Sequence, residues 1–71
     1  MKIYYDDQVD ALYIQLGNEE PNGVVEISEG VNIDLTSKGK LVGIEILEAS
    51  QKLNIETILT YSLDPNWVRP L

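Results

Sequence analysis

Apolar and polar residues alternate in several short runs along this chain, and a period of two marks strands with one buried face. The first run is residues 2–5, with Ile3 and Tyr5 on one side. The second is residues 11–16, where Leu12, Ile14 and Leu16 face one way and Ala11, Tyr13 and Gln15 the other. Between them stand Asp6, Asp7, Gln8, Val9 and Asp10. Aspartate side chains bond nearby backbone N–H groups and so favour turns; a single helical turn is expected there. Residues 17–23 (GNEEPNG) have the composition of an exposed loop.

Register follows from loop length, because only some lengths keep the apolar residues of two strands on one face. Ser28, Glu29 and Gly30 fit a three-residue loop with Gly30 in the left-handed region. Ile27 then pairs with Val31, Val25 with Ile33, and Glu26 with Asn32; a two-residue loop would set Glu26 against Ile33 and bury a charge. Thr36, Ser37, Lys38 and Gly39 fit a four-residue loop that sets Ile33 against Val42, Val31 against Ile44, and Asn32 beside Gly43. The expected inner face is Val25, Ile27, Val31, Ile33, Leu35, Val42, Ile44 and Ile46. Tyr4, Tyr13, Val24 and Leu41 point the other way.

Past Leu47 the period changes, since Ala49, Leu53, Ile55, Ile58, Leu59 and Leu63 mix several spacings. That pattern favours a helix, although the Ile-Leu-Thr-Tyr run also suits a strand. Asn54 is placed to cap a helix over residues 55–63, and Asp64-Pro65 to end it. The expected fold is α+β: a small antiparallel meander of about five strands with a C-terminal helix on one face. Residues 1–64 make one domain and residues 65–71 a tail carrying Trp67.

With 71 residues the core is thin, since a chain this short buries only about 60% of the surface its unfolded form exposes. Association with a second copy would supply stability that the core lacks, so a homodimer is expected, two-fold as most are. Tyr4, Tyr13, Leu41 and Trp67 are the candidate partner-binding residues, aromatic residues being enriched at interfaces. The absence of cysteine removes any disulfide framework or thiolate zinc site and makes the cytoplasm the default location. No apolar run approaches the roughly 20 residues that span a bilayer, and the chain opens on a strand pattern rather than a signal sequence; no membrane partner is expected.

Twelve acidic and five basic residues give a net charge of −7. Phosphate backbones require a positive stripe, and Lys2, Lys38, Lys40, Lys52 and Arg69 are scattered. Direct nucleic-acid binding is therefore not expected, and the acidity suits either solubility alone or a basic protein partner.

The segments Tyr5-Asp6, Asp10-Ala11-Leu12-Tyr13-Ile14, Glu29-Gly30-Val31 with Asp34, Gly39-Lys40-Leu41-Val42-Gly43-Ile44-Glu45-Ile46-Leu47 and Ala49-Ser50 together resemble the domain of unknown function 2283 family. The resemblance covers about the first three quarters of the chain and departs after Leu53. It implies a short bacterial or archaeal protein with a small antiparallel sheet and a helix, and no established activity. Some members resemble partners of a small toxin-like neighbour in two-gene cassettes, which implies an antitoxin-like role.

Without histidine or cysteine, the commonest catalytic bases and nucleophiles are missing. No cofactor is implied; Gly39-Lys40 lacks the upstream glycine and following helix of a phosphate loop. Carboxylates are the remaining chemistry. Asp6, Asp7 and Asp10 share a turn, but their spacing does not match a calcium loop, and shaping the turn explains them. On the outer face Glu26, Asp34 and Glu45 are expected near one another. With Asp10 they form the candidate carboxylate cluster, whose alternative readings are a solvated face or a metal-binding, hydrolytic site. The primary expectation is a non-catalytic, self-associating interaction module.

Overall fold

A computed structural model describes residues 2–63, with side chains described through residue 60. Five strands, β1 (Lys2–Asp6), β2 (Ala11–Gln15), β3 (Gly23–Ser28), β4 (Val31–Leu35) and β5 (Leu41–Leu47), are followed by α1 (Ala49–Lys52) and α2 (Ile55–Leu63). All pairings are antiparallel and the strand order is β1-β2-β5-β4-β3. The α+β class is as the alternation predicts. β3, β4 and β5 form a meander, but the β1–β2 hairpin docks on β5 rather than on β3. The reason lies in β5: LVGIEIL is the longest apolar-rich strand, and its Val42, Gly43 and Ile46 are buried. A near-continuous apolar run buried on both faces suits a central position, and the loop after β2 carries the chain past it to the far edge. Leu16 and Gly17 donate to the Val42 carbonyl (2.8 and 3.0 Å) and Asn22 to that of Leu35 (2.8 Å) as the loop passes.

The β3–β4 hairpin keeps Val25 opposite Ile33 and Glu26 opposite Asn32. The expected Ile27–Val31 pair is replaced by Ser28–Val31, with Ile27 as the extra residue of a bulge. The turn is thus Glu29-Gly30, with Gly30 at φ 73°, and the bulge keeps Glu26 off the apolar face. The β4–β5 register is a larger correction. Ile33 faces Ile44 rather than Val42, Val31 faces Ile46 rather than Ile44, and Asn32 faces Glu45 rather than Gly43. A slip of two residues leaves every side chain on its original face, so alternation cannot detect it. The loop decides it. Thr36 N–H donates to the Lys40 carbonyl (2.9 Å), and the Thr36 hydroxyl accepts from the Lys38 and Lys40 N–H groups (3.2 and 3.1 Å). That closes residues 36–40 as the loop and pairs Leu35 with Leu41, with a register shift beside that pair. Leu41, expected on the outer face, therefore sits opposite inner-face Leu35.

One row of five β-branched residues crosses the inner face strand by strand: Ile3, Ile14, Ile44, Ile33 and Val25. Over the β1 end of this face lie the helices. Leu12, Ile46 and Ala49 form the buried centre, joined by Ile3, Tyr5, Ile14, Val31, Ile44, Leu53, Ile55 and Ile58. Residues 54–63 resolve as helix beyond their cap: Asn54 Oδ1 accepts from Thr57 N–H at 2.9 Å, as the sequence predicts. The short α1 is a finding that periodicity does not reveal, being one turn long. Asp64-Pro65 and Trp67 lie outside the described residues.

Candidate functional site

Two polar assemblies stand out, each built on a tyrosine and an aspartate. The first joins the β1–β2 turn to α1. Asp6 Oδ1 accepts from Gln8 N–H (2.9 Å) and starts the turn, which ends with Asp10 in the left-handed region at φ 54°. Short polar residues tolerate that region. The Asp10 carboxylate then accepts from the Tyr5 hydroxyl (2.7 Å), the Ser50 hydroxyl (2.6 Å) and the Ser50 N–H (3.0 Å), while its carbonyl accepts from Ala49 N–H (2.9 Å). One residue from the turn thus supplies the free N–H groups at the start of α1. Glu48, just before, is also left-handed at φ 50°, and its side chain makes no cap, although its carbonyl accepts from Gln51 N–H (3.1 Å). The Ser50 hydroxyl, with Tyr5, holds the Asp10 carboxyl below its ordinary pKa, and the same aspartate raises that of Tyr5. Together these contacts tie the β1–β2 turn to the start of α1 through a single residue, Asp10. This assembly is a clamp.

The second lies on the outer face. Rows of paired residues run Tyr4, Tyr13, Glu45, Asn32, Glu26 and, beside it, Lys2, Gln15, Gly43, Asp34, Val24. Gly43 leaves a notch in β5, and the Tyr13 ring lies in it; a methyl group at residue 43 would overlap the phenol. Across that notch the Tyr13 hydroxyl donates to Asp34 Oδ2 at 2.9 Å, linking β2 to β4 over the strand between them. Burial, and then the Asp34 carboxylate, raise the Tyr13 pKa. Asn32 Nδ2 donates to Glu45 Oε1 at 3.2 Å.

The four carboxylates singled out by sequence are distributed accordingly. Glu26 and Glu45 flank Asn32 on opposite sides, Asp34 is engaged by Tyr13, and Asp10 belongs to the clamp. Among the described residues no group of three or more acidic residues is placed to hold a metal ion. Of the partner-binding candidates, Tyr4 is 52% exposed and Leu41 50% exposed. Tyr13 is committed to Asp34 instead of projecting, and Trp67 lies outside the described residues. Ser50 and Gly43 are the residues whose roles sequence reasoning missed. A lone glycine inside an apolar strand signals a close approach, which was available for Gly43; nothing local marks Ser50 as the partner of a residue forty positions away.

The class defined by these features is a small open-faced antiparallel sheet, stapled by polar pairs at one end and across its middle. A family model described as protein of unknown function (DUF2283) matches residues 2–50, and the chain belongs to that family. The match contains both assemblies from Tyr5 to Ser50 and stops before α2. Searches among curated proteins and among solved structures gave no significant match.

Proposed function

We propose that this protein is a non-catalytic interaction module that associates with itself and presents an acidic exterior to a basic protein partner. The observation that carries self-association is the apolar face left open at the β3 end, where Val25 is 47% exposed and Ile27 58% exposed. The carboxylates support binding over catalysis, because each either has a structural partner or stands on an open face where water hydrates it. The net charge of −7 supplies the attraction for a basic protein, in keeping with the antitoxin-like role that the family resemblance implies.

Sedimentation of the whole chain at tens of micromolar tests the reading. The expected species has twice the 8.0 kDa chain mass. A monomer at that concentration and at ten times more would overturn it.

A further inference from the structure

The sheet has two edges, and they differ. β1 carries Lys2 and Asp6, and its inner residues Ile3 and Tyr5 pack against the core beneath the helices. β3 is exposed along all six residues and has one charge, Glu26, among Gly23, Val24, Val25, Ile27 and Ser28. An edge strand with little charge and β-branched residues is a template for another strand. A basic partner would be drawn to the outer-face carboxylates, of which this strand carries only Glu26, whereas a second copy brings the same apolar strand.

We infer that β3 pairs antiparallel with β3 of a second copy about a two-fold axis through Val25, making one ten-stranded sheet. This deepens the self-association reading and rests on it. Two-fold antiparallel pairing with a continuous inner face allows few registers. Centred on Glu26, it sets like carboxylates directly opposite, which is unfavourable. Centred on Val25, it sets Val25 against Val25 on the inner face and Val24 against the second copy's Glu26 on the outer face. The row Ile3, Ile14, Ile44, Ile33, Val25 then continues unbroken into its own copy. The Ile27 bulge and Pro21 fall outside the central pairs.

A chain without cysteine allows the register to be read by cross-linking. Val25→Cys should oxidise to a disulfide dimer by itself. Val24→Cys mixed with Glu26→Cys should cross-link heterotypically, and Glu26→Cys alone should not. Hydrogen-bonded and non-hydrogen-bonded pairs alternate along an antiparallel ladder, so one of the two expected cross-links falls where side chains are closest. Tyr4→Cys on β1 is the control for the other edge, and circular dichroism checks that each variant folds. Val25→Lys should raise the dimer dissociation constant about tenfold or more, since a lysine at a seam opposes its own copy. A dimer by sedimentation that cross-links only through Tyr4→Cys, or not through residues 24–26, would overturn the strand pairing and leave self-association standing. A monomer in sedimentation would overturn both.

Discussion

The two ends of the sheet's apolar face are made of the same material and meet different fates. Ile3 and Ile14 lie in the core under the helices, while Val25, in the same row, stands open. Length explains the difference. An α-helix is about 10 Å across and strands repeat at about 4.8 Å, so one helix covers roughly two strands. With nine residues α2 is about 14 Å long, and the four of α1 add one turn. Because β5 delivers the chain beside the β1–β2 turn, where Ala11 faces Leu47, the helices settle on that side. A pattern of alternation specifies that a face must be covered; it does not specify by what.

The sharpest separation of the two ends is a pair of truncations. Leu12 is fully buried at the covered end, and Leu12→Ala should cost about 2–5 kcal/mol, a large share of what a domain this small has. Val25→Ala at the open end should cost under about 1 kcal/mol in the monomer, because a half-exposed side chain loses little on truncation. Urea unfolding at a few micromolar protein measures both. Equal losses would mean that Val25 is covered within the single chain.

The same contrast explains what sequence could reveal. Faces were legible because alternation reports them directly: Val25 opposite Ile33 and the Asn54 cap both follow from local pattern. The β4–β5 slip was hidden because a shift of two preserves faces, and the Thr36 hydroxyl that settles it is one of several polar groups in that loop. The docking of β2 on β5 depends on which strand is most buried, a tertiary matter. The Asp10 clamp was half legible: its aspartate marks a turn, but its partner Ser50 is brought there only by the whole fold.

A smaller effect is expected at that clamp, which keeps the covered end covered. Asp10→Asn preserves a residue that tolerates the left-handed backbone while removing the charge. The Asp10 carboxyl has its pKa lowered by folding, chiefly by the Ser50 hydroxyl and then by Tyr5. A lowered folded value means a stabilising contribution that is complete above the ordinary aspartate pKa of about 4 and is lost as pH falls through the folded value. The melting temperature of the variant should therefore lie below that of the parent at pH 6–8, and the gap should narrow below about pH 4. A gap independent of pH would assign the effect to shape rather than charge.

Of the two polar links, the smaller effect is expected at the staple that holds the two ends together. Tyr13 on β2 reaches Asp34 on β4 only because residue 43 has no side chain. Gly43→Ala should expel the phenol from its notch and cost about 1 kcal/mol, the net worth of one such hydrogen bond. Its signature is spectroscopic. Burial and Asp34 raise the Tyr13 pKa, so its contribution is present below the ordinary tyrosine value of about 10 and is lost as pH rises through the folded value. In Gly43→Ala one tyrosine should shift toward that ordinary value in an ultraviolet titration, and the stability difference from the parent should vanish in alkali. Tyr13→Phe keeps the ring over the glycine and removes only the donor, so it should cost no more stability than Gly43→Ala. If Gly43→Ala left the tyrosine titration unchanged, the glycine would not be what lets Tyr13 cross β5, and the link between the covered and open ends would have to lie elsewhere.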